Sequence, residues 1–147
     1  MSAKENISIA RNVYESYNRR DFDSAIKNVA SSSVLRNVPA NMTLKGPEGY
    51  KQFLKNWDSA FPDSKCEVKN IEAGEDFAVC EFRGVGTHKG TLKIPEGDIQ
   101  ATGKRVEVSF CDVYHFKNGK ISEISSYYDL ATFMKQIGIL SELKMHA

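Results

Sequence analysis

The apolar positions of this chain follow two periods, and the change from one to the other divides it into helical and strand-forming parts. Between residues 5 and 20, Ile7, Ala10, Tyr14 and Tyr17 recur at helical spacing, with Lys4, Glu5, Arg11 and Glu15 on the remaining surface. This predicts an amphipathic first helix. Asp21-Phe22-Asp23 ends it, and Asp23 stands where it would cap a short second helix running through Val29. Ser31-Ser32-Ser33 breaks that pattern. Residues 34–38 read as a short strand stopped by Pro39, and residues 40–45 as a polar loop. Gly46-Pro47-Glu48 puts a proline and an acid in the first turn of a third helix, which reaches Ala60 with Tyr50, Phe53, Leu54 and Trp57 at helical intervals.

Strand-like patterning takes over after Phe61-Pro62-Asp63. Residues 66–71 and 77–85 form one hairpin around Gly74-Glu75-Asp76, and residues 88–103, punctuated by Gly90, Pro95 and Gly97, read as a loose, mobile connection. Residues 103–129 form a second, longer hairpin around Asn118-Gly119, the strongest short-range turn signal in the chain. Polar residues recur in it where a purely structural hairpin would carry valine: Ser109, Asp112, His115, Glu123, Ser125 and Asp129. Such residues point to a cavity. A two-residue turn sets His115 opposite Ser122 and puts Asp129 on the other face; a three-residue loop, Lys117-Asn118-Gly119, brings His115 and Asp129 to one face. The three-residue loop is favoured, because Gly119 followed by Lys120 suits a left-handed bulge. Leu130, Phe133, Met134 and Ile137 then space as a closing helix ended by Gly138, and the tail to Ala147 is expected to fray.

The order of elements gives an α+β layout with a bent antiparallel sheet wrapped on helices. A length of 147 residues suits one domain, here the whole of residues 1–147 with a core at about 5–140, large enough to enclose a pocket. Lys and Arg number 20 against 19 Asp and Glu, a net +1, so bulk charge recruits neither nucleic acid nor an anionic membrane. Cys66, Cys80 and Cys111 match no zinc spacing and read as reduced thiols. With no apolar leader or membrane-length run, a cytoplasmic location is expected.

Several short runs, in order, carry a resemblance: Gly46-Pro47-Glu48-Gly49, Ala60-Phe61-Pro62-Asp63, Gly86-Thr87-His88-Lys89-Gly90, Ala101-Thr102-Gly103-Lys104, Asn118-Gly119-Lys120-Ile121 and Tyr128-Asp129. Together they resemble the SnoaL-like polyketide cyclases of the NTF2-like superfamily. The resemblance implies a cone-shaped α+β fold enclosing a pocket, and ring closure by an intramolecular aldol step without metal or organic cofactor. It implies that Asp129 is the acid/base residue, that His115 matches the family's histidine, and that the chain pairs as a homodimer through its exposed sheet face. A ketosteroid isomerase is a weaker match, since the early strand where that family keeps its base carries Asn37.

Each of these residues also has a structural role open to it. Asp129 precedes a helix and can serve as its N-cap; as a base it would need a partly desolvated carboxylate of raised pKa. His115 can be a core histidine or a donor to an enolate oxygen. His88, between two glycines, can sit at the pocket mouth or in a solvated loop. Tyr14 and Trp57 can be core or the aromatic walls of a substrate site, and Asn37 a turn residue or a pocket hydrogen-bonding group. Asp112 is the reserve carboxylate, favoured by the two-residue turn. The function these residues support is acid/base chemistry at carbon alpha to a carbonyl of a small hydrophobic substrate. The other reading is a non-catalytic module that binds a small ligand or dimerises.

Overall fold

In the computed structural model, which describes residues 2–139, a curled and unclosed six-stranded sheet holds helices against its inner face. The tail expected to fray lies outside the described residues. Helix α1 (Ala3–Asn18) opens on a capping box in which Ser2 Oγ accepts from the Glu5 amide at 3.1 Å while Glu5 accepts from the Ser2 amide. Arg20 follows in the left-handed region (φ 60°) and donates to Asp58 and to the carbonyls of Pro62 and Ser64, which ties the end of α1 to the next helical layer.

The second helix, α2 (Phe22–Ala25), is shorter than the spacing predicts, and its cap is Asp21 rather than Asp23. Asp23 instead accepts from Lys51 at 2.7 Å. Strand β1 (Val29–Asn37) therefore begins where the helix was expected to continue, and the serine run lies inside it at a break in register between Val29 and Val34. The expected polar loop contains β2 (Met42–Lys45), where Leu44 pairs with Leu35. Helix α3 (Gly46–Ala60) buries Tyr50, Leu54 and Ala60. After β3 (Lys65–Ala73) and β4 (Phe77–Thr87), the connection expected to be loose carries a small hairpin, β5 (Leu92–Ile94) with β6 (Gly97–Ile99), anchored by buried Leu92.

Strands β7 (Arg105–Lys117) and β8 (Lys120–Tyr128) form the long hairpin, followed by α4 (Leu130–Gln136) and Gly138 at φ 87°. Strand order is β2-β1-β8-β7-β4-β3. The sheet is not wholly antiparallel as expected: β1 and β8 run parallel, a pairing that needs a long crossover, and here most of the chain intervenes. No helix among the described residues is long and apolar enough to cross a membrane.

The hairpin turn corrects the favoured loop. Asn118 (φ 53°) and Gly119 (φ 79°) are both left-handed, as a two-residue type I′ turn requires, and Lys117 pairs with Lys120. Ser122 is then an extra residue in β8, a bulge that shifts the register so that His115 faces Glu123 and Asp112 faces Ser126. Along β7 the even positions, Val106, Val108, Phe110, Asp112, Tyr114 and Phe116, turn inward; His115 turns outward and is exposed. Two buried clusters result, and Trp57 and Phe110 pack against both.

Candidate active site

One carboxylate lies among the inward positions of β7. Asp112 is 5% exposed and borders a cavity of about 80 Å³ whose walls include Tyr14, Tyr50, Trp57, Phe82 and Phe110. Three buried tyrosines from three elements lead to it. The Tyr14 hydroxyl (α1) donates to Asp112 Oδ2 at 2.8 Å, the Tyr114 hydroxyl (β7) donates to Tyr14 at 2.7 Å, and the Tyr50 hydroxyl (α3) lies 3.4 Å from that of Tyr114.

Burial in this apolar setting disfavours the carboxylate and pushes the Asp112 pKa up to about 6, with hydrogen bonding from Ser126 and Tyr14 pulling the other way. Burial also drives Tyr14 and Tyr114 well above the ordinary tyrosine range, helped by the nearby Asp112 charge, so both stay protonated donors at neutral pH. Asp112 Oδ1 has no partner of full hydrogen-bond geometry. A partly desolvated carboxyl with a pKa near working pH beside a cavity is suited to moving protons.

A second, larger chamber of about 340 Å³ adjoins the first, bounded by β1, β2, α3, the β5–β6 hairpin and α4. Phe53, Trp57 and Phe133 line both chambers and form their shared wall. Trp57 is held there edge-on, with the rings of Phe110, Tyr128 and Phe133 each within 5.8 Å. A buried polar row crosses three strands of the sheet. Asn37, Ser126 and Asp112 are neighbours in register across β1, β8 and β7, and all three are buried.

Of the residues singled out from the sequence, Tyr14 lines the inner chamber, Asn37 the outer and Trp57 both. The expected pair of Asp129 and His115 does not form. Asp129 is exposed and caps α4, its Oδ1 accepting from the Thr132 amide at 3.0 Å and its Oδ2 from the Thr132 hydroxyl at 2.5 Å. Those bonds hold its carboxyl below the usual range, the reverse of what a carbon base needs. His115 is exposed on the outer face opposite Glu123, and Asp129 lies six residues further along, roughly 20 Å at the rise of an extended strand.

His88 lines neither chamber and is not at a pocket mouth. Fully buried, it stacks on Phe61 (5.2 Å between ring centres) and its Nδ1 lies 3.1 Å from the Thr102 hydroxyl, which ties the two ends of the β5–β6 excursion together. Sequence reasoning missed Tyr50, Tyr114 and Ser126 as members of the site. The alternation along β7 held the signal for Asp112: a single carboxylate in an otherwise apolar inward row.

A curled sheet closed by helices over an interior chamber defines the ketosteroid isomerase-like, or NTF2-like, class of fold. Within it, the chain belongs to the SnoaL-like polyketide cyclase family, whose family model matches residues 7–137. The solved structures it is similar to include AclR from Streptomyces galilaeus, at 24% identity, covering 95% of this chain and 100% of that one with a TM-score of 0.79. TsrD from Streptomyces laurentii is 20% identical over 95% of this chain and 99% of that one, with a TM-score of 0.80. A protein from Catenulispora acidiphila with a ketosteroid isomerase-like fold, solved with trimethylamine, is 14% identical over 90% of this chain and 93% of that one, with a TM-score of 0.73. At these identities the likeness is one of fold. No curated protein matches the chain.

Proposed function

We propose that the protein is an acid/base enzyme of the cyclase or isomerase type, acting at carbon alpha to a carbonyl of a small hydrophobic substrate, with Asp112 rather than Asp129 as the base. The observation that carries this reading is the buried Asp112 carboxyl, raised to about 6, at the edge of an apolar cavity. Asp112 takes the proton from the carbon and leaves an enolate. With the carboxyl now protonated, the Tyr14 hydroxyl no longer serves a negative charge and turns its donor to the enolate oxygen, backed by Tyr114. The enolate carbon then attacks a second carbonyl of the same molecule, and Asp112 returns its proton to the new alkoxide; in an isomerisation the proton returns to a different carbon. Protons balance in either case, and no external oxidant or reductant enters.

The test is solvent deuterium exchange at the alpha carbon of 6-hydroxy-1-tetralone, followed by proton NMR. Asp112→Asn should slow it by about a hundredfold or more. Exchange at the wild-type rate in this variant removes Asp112 from the chemistry.

A non-catalytic ligand-binding module is the second reading, favoured by one observation: Asp129, at the position where the family keeps its aspartate, is spent on capping α4. Binding of the ketone without any exchange in the wild type would support it. For either reading we place a homodimer contact on the outer sheet face, where Phe77 and Tyr127 are 40% and 46% exposed. Sedimentation of the wild type and of Tyr127→Lys tests it, the variant being expected to shift toward monomer.

A further inference from the structure

The inner cavity of about 80 Å³ is too small for a ring system, whereas ligand pockets typically run from about 300 Å³ upward. The outer chamber, at about 340 Å³, reaches that size. Its walls are largely apolar, from Leu44, Leu92, Ile94 and Met134 to the faces of Trp57 and Phe133. One polar side chain in it stands out. Asn37 is 6% exposed, and its Oδ1 has no partner. The Asn37 side chain also neighbours the Tyr128 hydroxyl and holds that phenol below where burial alone would put it. A buried acceptor left unpaired is costly, and a donor arriving with a ligand recovers that cost.

We propose that the outer chamber is a binding site for the body of a one- or two-ring molecule bearing a hydroxyl group, which donates to Asn37 Oδ1. Asn37 is then a specificity-determining residue that selects hydroxylated over O-alkylated or unsubstituted rings. The polar row sets the scale of such a molecule. Asn37 and Asp112 are two strands apart in one register row, with main chains roughly 10 Å from each other. A molecule whose hydroxyl meets Asn37 brings a reacting carbon to Asp112 at its other end by displacing the shared wall at Trp57. This deepens the reading of Asp112 as the base and rests on it only for the second half of that placement.

The experiment compares 6-hydroxy-1-tetralone with 6-methoxy-1-tetralone by titration calorimetry. Wild-type protein should bind the hydroxy compound at least about tenfold more tightly, the worth of one hydrogen bond to a buried acceptor. Asn37→Leu, similar in size and without the acceptor, should bind the two within about twofold of each other. Ile94→Trp, which narrows the outer chamber and leaves the Asn37 acceptor in place, should weaken both together. Asp112→Asn should keep the wild-type preference. Equal affinities in the wild type, a preference that survives Asn37→Leu, or no binding of either compound at millimolar concentration overturns the assignment. A tenfold preference in a protein that exchanges no alpha proton would leave this site standing while the base role of Asp112 falls. Exchange without preference does the converse.

Discussion

Asp112 and Ser126 stand directly opposite each other on the inner face of the β7–β8 hairpin because one additional residue, Ser122, is accommodated in β8 just past the turn. Without that bulge the two-residue turn would continue in its first register and oppose Asp112 to Ser125. Period-two geometry then leaves no compromise: a shift by one turns every later side chain of β8 to the other face.

Removal of Ser122 should therefore be tolerated, because with the supernumerary residue gone Phe116 still pairs with Ile121 and His115 with Glu123. Deletion of Ser125 instead would turn either Ile124 or both Ser126 and Tyr128 off the inner face. We expect loss of cooperative unfolding in urea for the Ser125 deletion, while the Ser122 deletion still unfolds cooperatively near the wild-type midpoint.

The raised pKa of Asp112 costs the fold stability at neutral pH. A carboxyl at about 6 in the folded chain and 3.8 when unfolded binds more protons folded, so its contribution is fully favourable below 3.8 and is lost as pH rises through about 6. At pH 7 the penalty is about 3 kcal/mol at most, from 1.36 kcal/mol per pKa unit. Asp112→Asn should thus be more stable than the wild type at pH 7. The advantage should vanish by about pH 4, as measured by urea unfolding of both proteins across that range.

Tyr14→Phe removes the donor that opposes the effect of burial on Asp112. The pH midpoint of alpha-proton exchange, expected near 6 in the wild type with the faster rate on the alkaline side, should move upward in this variant. Tyr114→Phe, one hydroxyl further away, should move it less. An unchanged midpoint in Tyr14→Phe would break the link between the tyrosine chain and the carboxyl.

Asp129→Ala separates capping from catalysis. With the bonds to Thr132 gone, α4 loses its N-cap, and the melting temperature should fall by a few degrees. Alpha-proton exchange by the folded protein should stay within about twofold of wild type. A hundredfold loss of exchange with an intact fold would return the role to Asp129.

Much of the architecture was legible in the sequence because it rests on long periodic stretches. The Tyr14 and Trp57 helices, the Asn118-Gly119 turn and the Gly138 terminus all declare themselves locally. The site was less legible because it depends on register. Gly119 followed by Lys120 fits a three-residue bulged loop as well as a type I′ turn, and Ser122 gives no sign that it is supernumerary. That ambiguity let Asp129 and His115 be grouped, although their positions along the hairpin hold them far apart. Tyr14, Tyr50 and Tyr114 share the spacing of ordinary core residues. Only three-dimensional packing shows that their hydroxyls meet.

Trp57 is the sole tryptophan of the chain and forms part of the wall between two chambers. The protein consequently carries its own optical reporter, at the one place that filling either compartment must disturb. Changes in indole emission on adding a transparent ligand will register occupancy without a label, and a red shift will mark water entering where rings now meet edge to face.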